Sequence, residues 1–166
     1  MYEKVCKEVI SYFGNDVRRI NHALKVWAFA RIIAENEELD IFGTDVVNYT
    51  AILHDIGIKE AERKYNSNSA GYQEKEGPAI AKDILTRVGV DSITIERVCF
   101  IIGHHHTYSK IDGIDFQIIV EADLLVNIYE DNVKREAIQS LEERYFKTDT
   151  GLSLIRTMYL YQEGVE

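Results

Sequence analysis

Apolar residues recur along this chain mostly at intervals of three and four, a spacing that lines one face of a helix and predicts an all-α fold. The only proline is Pro78, so little interrupts that period. One helix is predicted over 16–35, where Ala23, Val26, Trp27, Ala30, Ile33 and Ala34 form a stripe behind the punctuation of Gly14 and Asp16. The next is expected to begin after Gly43 with Thr44 as its cap, to carry Val47, Thr50, Ala51 and His54 on one face, and to end at Gly57. The polar run from Arg63 to Gln73 has no period and reads as a mobile loop able to cover a pocket. Helices resume through Ile80, Ala81, Ile84, Leu85 and Val88, stop at Gly89, and restart over 92–102 ahead of Gly103 and three histidines. A further helix is predicted over 116–129 with Ile119, Val120, Ala122 and Val126 inward. Two more are expected over 134–161, with a break near Thr148 to Gly151.

At 166 residues and 46% hydrophobic content the chain suffices for one domain with a core. It is read as a single domain over 1–166, with a motif core over 16–130 and a helical extension over 131–166. Nineteen Lys and Arg against 28 Asp and Glu give a net charge of −9, which repels a polyanion, so nucleic acid is not expected as a partner. Cys6 and Cys99 stand alone and suggest apolar packing, neither a disulfide framework nor a zinc ribbon. Met1 to Ile10 mixes charges into its apolar residues, unlike a signal-peptide core, and no later apolar run is long enough for a bilayer. A cytoplasmic protein with no membrane partner is expected, monomer or homodimer.

Asp123 is out of place on an apolar face. An ionised carboxylate among Val120, Ala122 and Leu124 costs several kcal/mol unless a cation, a proton or a set of donors meets it. His54 and Asp55 offer an imidazole nitrogen and a carboxylate oxygen side by side. Adjacent helical residues diverge by about 100°, so they can grip one ion only near a helix end, and Gly57 places an end there. His22 shares a face with Val26 and Phe29 and also looks inward. A single such histidine is more often a hydrogen-bonded core residue, but four buried polar residues would each need a separate explanation. Two imidazoles and two carboxylates suit Mn, Fe, Zn, Co or Ni better than Mg or Ca.

His22, then the HDIG run at His54, Asp55, Ile56 and Gly57, then Asp123 in EAD, follow one another as H…HD…D. In that order the chain resembles the HD superfamily of metal-dependent phosphohydrolases, from about His22 to Glu130. The resemblance implies an orthogonal helical bundle around a divalent ion (Mn, Fe, Co, Ni, Zn or Mg) held by His22, His54, Asp55 and Asp123. It also implies cleavage of a phosphate ester or anhydride of a small molecule, often a nucleotide, by an activated water. Asp55 and Asp123 then serve catalysis as well as binding. His104 and His105 fit the family's paired-histidine position, for a second metal or a proton shuttle, and His106 is read as the least involved. Lys59, Arg18 and Arg63 are the basic residues nearest the motif and are expected to meet the phosphate, although Lys59 and Arg63 could equally form surface pairs with Glu60 or Glu62. The chain departs from the family twice. The stretch that matches an extra metal-binding histidine carries Gln73 and Glu76 instead, and Ile58 stands where 5′-nucleotidases of the family place a glutamate. Two other readings use the same residues: a di-iron oxygenase of HD type, which would need further histidine ligands, and a catalytically silent, metal-stabilised ligand-binding module.

Overall fold

A computed structural model describes residues 1–161, so the last part of the 131–166 extension lies outside the described residues. Nine α-helices and no strand occur among them: α1 Tyr2–Phe13, α2 Val17–Glu35, α3 Ile41–Leu53, α4 Ile58–Tyr65, α5 Ala70–Val88, α6 Ser92–Ile102, α7 Ile114–Glu130, α8 Arg135–Tyr145 and α9 Asp149–Ile155. A 3₁₀ turn at Tyr108–Lys110 and a π turn at Arg156–Leu160 complete the chain's regular structure. The core lies where α2, α3, α6 and α7 meet, with Val26, Ile33, Val47, Leu53, Ile101, Ile102, Ile118 and Leu125 all sealed from solvent.

α7 differs from the single inward stripe that its period suggests. Every residue from Asp115 to Val126 is buried, because α2 and α3 cover one side and the α8–α9 segment covers another. The second side is polar and fully answered. Glu121, with 0% of its surface exposed, accepts from Gln117 Nε2, the Lys147 and Thr148 backbone N–H groups, and Thr148 Oγ1 at 2.6–3.0 Å. A carboxylate can be buried at this depth because four donors replace its water.

Several boundaries move from their expected places. α3 starts three residues earlier than Thr44, because Asp40 caps it by accepting from the Gly43 N–H at 2.7 Å. Most of the stretch from Arg63 to Gln73 is helical, and only Asn66–Ser69 forms a link. Asn66 closes α4 in the left-handed conformation at φ 50°. Tyr65 and Tyr72 stack across the link at 4.1 Å, and Tyr65 Oη and Lys64 Nζ both donate to Glu76 on α5. Those side chains hold two helices together where composition alone reads as loop. In the C-terminal third the break falls at 146–148, and Gly151 lies inside α9.

α3 itself ends at Leu53, so His54 to Gly57 form a tight turn into α4. Gly57 keeps ordinary right-handed helical angles, so conformational freedom is not its purpose. A Cβ there would lie 2.4 Å from the Gln73 carbonyl oxygen and 2.7 Å from the Gly77 nitrogen. The turn carrying His54 and Asp55 therefore rests directly on the backbone of α5.

Candidate metal centre

Each of the main packing partners contributes to one point. α2 brings His22, the turn after α3 brings His54 and Asp55, and α7 brings Asp123. His22 Nε2 lies 3.1 Å from Asp123 Oδ1, 3.2 Å from His54 Nε2 and 3.5 Å from Asp55 Oδ2. His54 Nε2 lies 3.5 Å from Asp123 Oδ1 and 3.6 Å from Asp55 Oδ2. Ligand atoms bonded to one first-row ion at its usual distances stand about 3.0–3.4 Å apart. His22, His54 and Asp123 come close to that spacing, and Asp55 Oδ2 lies just beyond it from the two imidazoles.

The imidazoles are also in the right tautomer. His54 Nδ1 donates to the Ala51 carbonyl at 2.9 Å, and His22 Nδ1 donates to Glu130 at 3.1 Å. Those acceptors claim the Nδ1 proton, so the Nε2 lone pairs are the ones directed at the common point. Lys25 holds the other oxygen of Glu130. Asn127 steadies Asp123, its amide donating to Oδ1 at 2.9 Å.

Titration follows from this crowding. Burial opposes a charge on His54, but the carboxylates of Asp55 and Asp123 outweigh it and lift its pKa to about 9. His22 is raised in the same way, burial being overcome by its bond to Asp123. Burial works to raise both acids, yet the facing imidazoles take Asp55 down to about 2 and Asp123 far below the usual carboxylate range. The pocket holds paired positive and negative charge, and a divalent cation can take the place of the protons.

A second group of donors adjoins the first. Asp55, His105 and His106 present ligand atoms within 4.8 Å of one another, as do His22, His54 and Asp123. Asp55 stands between the groups, with Oδ2 toward His22 and His54 and Oδ1 3.5 Å from His105 Nε2. His105 Nδ1 donates to the Ile102 carbonyl at 2.7 Å, while its buried Nε2 faces Asp55 Oδ1 without a well-formed hydrogen bond. A cation between that nitrogen and that oxygen would satisfy both. His106 Nε2 approaches Gln73 Oε1 at 3.4 Å, so the Gln73 amide faces this group. Burial, helped by His105, lowers the His106 pKa to about 4 and leaves its imidazole neutral.

The other expected site residues scatter. His104 turns away, its Nδ1 bonded to the Phe100 carbonyl at 2.7 Å and its ring tilted on Phe100, so His106 occupies the place expected for it. In the turn after α6, His104 is directed away from the side that His105 and His106 share. Lys59 donates to the Tyr12 carbonyl at 2.6 Å, and Arg63 forms a two-bond pair with Glu60; neither lines the cleft that opens on the centre. Arg18 does line the cleft that opens on His22 and Asp55, where it pairs loosely with Asp131 at 3.7 Å. Arg19, Asn68, Asn127 and Glu130 line it too. Sequence reasoning passed over these because single polar residues near helix ends are ordinary; Glu130, seven positions after Asp123 and so on the same helical face, was the most findable.

No helix of the described residues is long and apolar enough to cross a membrane. No curated protein and no solved structure matches the chain. HD domains in general are those of metal-dependent phosphohydrolases and bind divalent metals, which the two donor groups above could accommodate. A family model of the HD domain matches residues 19–148, a span that begins just ahead of His22 and runs past Asp123 to the cap of α9, and the chain belongs to that family.

Proposed function

We propose that this protein is a metal-dependent phosphohydrolase that cleaves a phosphate ester or anhydride of a small phosphorylated molecule. The observation that carries the reading is the convergence of His22, His54, Asp55 and Asp123 with their Nε2 and carboxylate oxygens 3.1–3.6 Å apart. A divalent ion held there supplies Lewis acidity to a phosphoryl oxygen and acidifies a water at the site. The chain's own residues do the rest. Glu130 and the Ala51 carbonyl fix which nitrogen each imidazole presents, and Asp55 offers one oxygen to each donor group. Arg18 stands at the cleft, only loosely paired with Asp131 at 3.7 Å, where its guanidinium can bind an equatorial oxygen of a phosphoryl group, while Arg19 is held by Asp16 and Glu62. The second donor group of Asp55, His105 and His106 supports two ions over one.

The test is phosphate release from a panel of phosphorylated metabolites, with Mn, Fe, Co, Ni, Zn and Mg added in turn. At least one pairing is expected to turn over. His54→Ala and Asp123→Ala should each lose more than the roughly 100-fold that removing an outer partner of a metal ligand costs. Silence with every metal, or turnover that survives either substitution, contradicts the reading. The same silence with metal bound would favour a ligand-binding module.

A further inference from the structure

The cleft that opens on His22 and Asp55 limits what can enter it. Its volume is about 320 Å³, at the small end of ligand sites, which run from roughly 300 to 1,000 Å³. Ile58 is its single aliphatic wall residue, and no Phe, Tyr or Trp lines it among the described residues. A nucleobase is bound best by stacking its face on a broad aromatic or apolar surface, and beyond Ile58, the His22 ring turned to the metal centre and the carboxylate-paired Arg18 and Arg19, this cleft offers none. Its walls instead carry Asn68, Asn127, Asp16 and Asp131. Amides and carboxylates of this kind exchange hydrogen bonds with hydroxyl groups.

Charge narrows the choice further. Arg18 is matched by Asp131 at 3.7 Å, and Arg19 by both Asp16 at 2.9 Å and Glu62 at 2.5 Å. Lys25, beside the rim, is held by Glu130. Every cation around the opening already has a carboxylate, so no surplus of positive charge awaits a polyphosphate, and the net charge of −9 opposes its approach. A monoester carries few enough charges for the metal centre and the loosely held Arg18 to answer.

Resting on the phosphohydrolase reading, we propose that the substrate is the phosphate monoester of a small, hydroxyl-rich alcohol, a sugar or polyol phosphate, rather than a nucleotide. In the reaction the oxygen of a water bonds to phosphorus. The bond from phosphorus to the ester oxygen breaks, its electron pair leaves on that oxygen, and one of the water's protons ends on the released alcohol.

Ribose 5-phosphate and AMP make a matched pair, since they share a phosphorylated pentose and differ by the adenine; ATP lengthens the phosphate chain. With the full chain loaded with Mn²⁺, kcat/KM for ribose 5-phosphate is expected to exceed that for AMP by about tenfold or more, with ATP lower again. Ribose 5-phosphate should also raise the Tm of the Mn²⁺-loaded protein more than AMP does at the same concentration. If AMP or ATP is cleaved as fast as ribose 5-phosphate or faster, the substrate class is overturned and the phosphohydrolase reading stands. If none of the three releases phosphate while Mn²⁺ is bound, the substrate class is overturned, and the phosphohydrolase reading is decided by the wider panel of substrates and metals.

Discussion

Three imidazoles around the centre, His22, His54 and His105, each commit Nδ1 to an acceptor, and the acceptors differ. Backbone carbonyls of Ala51 and Ile102 hold His54 and His105, whereas His22 is held by the carboxylate of Glu130, itself gripped by Lys25. A carboxylate behind an imidazole both orients it and makes its other nitrogen a better donor. Glu130→Ala is therefore expected to weaken Mn²⁺ binding by roughly 10- to 100-fold, and Glu130→Gln by less, in a calorimetric titration. Unchanged affinity in Glu130→Ala would show that His22 needs no partner. Gly151 poses a different constraint, because a Cβ there would sit 1.9 Å from Glu121 Oε2 and 2.7 Å from Thr148 Oγ1. Gly151→Ala must break the buried carboxylate's network and is expected to cost about 3 kcal/mol or more in denaturant unfolding. Gly71, with nothing within 4 Å of the same added atom, is the control: Gly71→Ala should be neutral or stabilise by up to about 1 kcal/mol. Asp123 could be picked from sequence because an acid on an apolar stripe needs a cause. His106 could not, since which of three consecutive histidines faces inward depends on the turn that precedes them.

At the scale of elements, most helices were written in the apolar period, α4 excepted, and helix ends were not. The 92–102 helix matches its expected span because Asp91 caps it with two backbone bonds and Gly103 closes it. The reading of 63–73 as loop failed because Tyr65, Lys64 and Glu76 bind one another across positions that are distant in any local window. The segment between α6 and α7 bears His105 and His106, and Arg97 anchors it. Its guanidinium makes paired bonds to Asp112 at 2.7–2.9 Å and to Asp115 at 2.7–2.8 Å. Those bonds from Arg97, against a small opposing effect of burial, hold the Asp112 carboxyl below its ordinary range. A pKa lower in the folded state than in the unfolded one means stability that is present above the unfolded value, about 3.9, and lost as pH falls below it. Asp112→Asn should accordingly flatten the loss of stability on acidification through that range, as read from urea midpoints at successive pH values. An identical pH profile for the variant and the parent would leave the anchor without an electrostatic role.

Across the whole molecule, the centre depends on residues 32 and 101 positions from His22 arriving at hydrogen-bonding distance. No local segment can form it, so the folded packing of α2, α3 and α7 is what creates the site. The order H…HD…D singled out His22, His54, Asp55 and Asp123 in sequence, and the histidine run pointed to His105, whereas the part of His106 and the cleft's polar walls required the packing. A cation at the junction of these helices should also bind the folded chain far better than the unfolded one, so metal and stability are linked. The direct measurement is a Mn²⁺ titration of the purified, chelator-treated protein, followed by metal analysis of the same samples. The account expects saturable binding at one or two ions per chain and a rise in Tm, both lost in Asp123→Ala while its helical content is retained. Failure of the parent protein to bind any divalent ion, or equal binding by a folded Asp123→Ala protein, would contradict it.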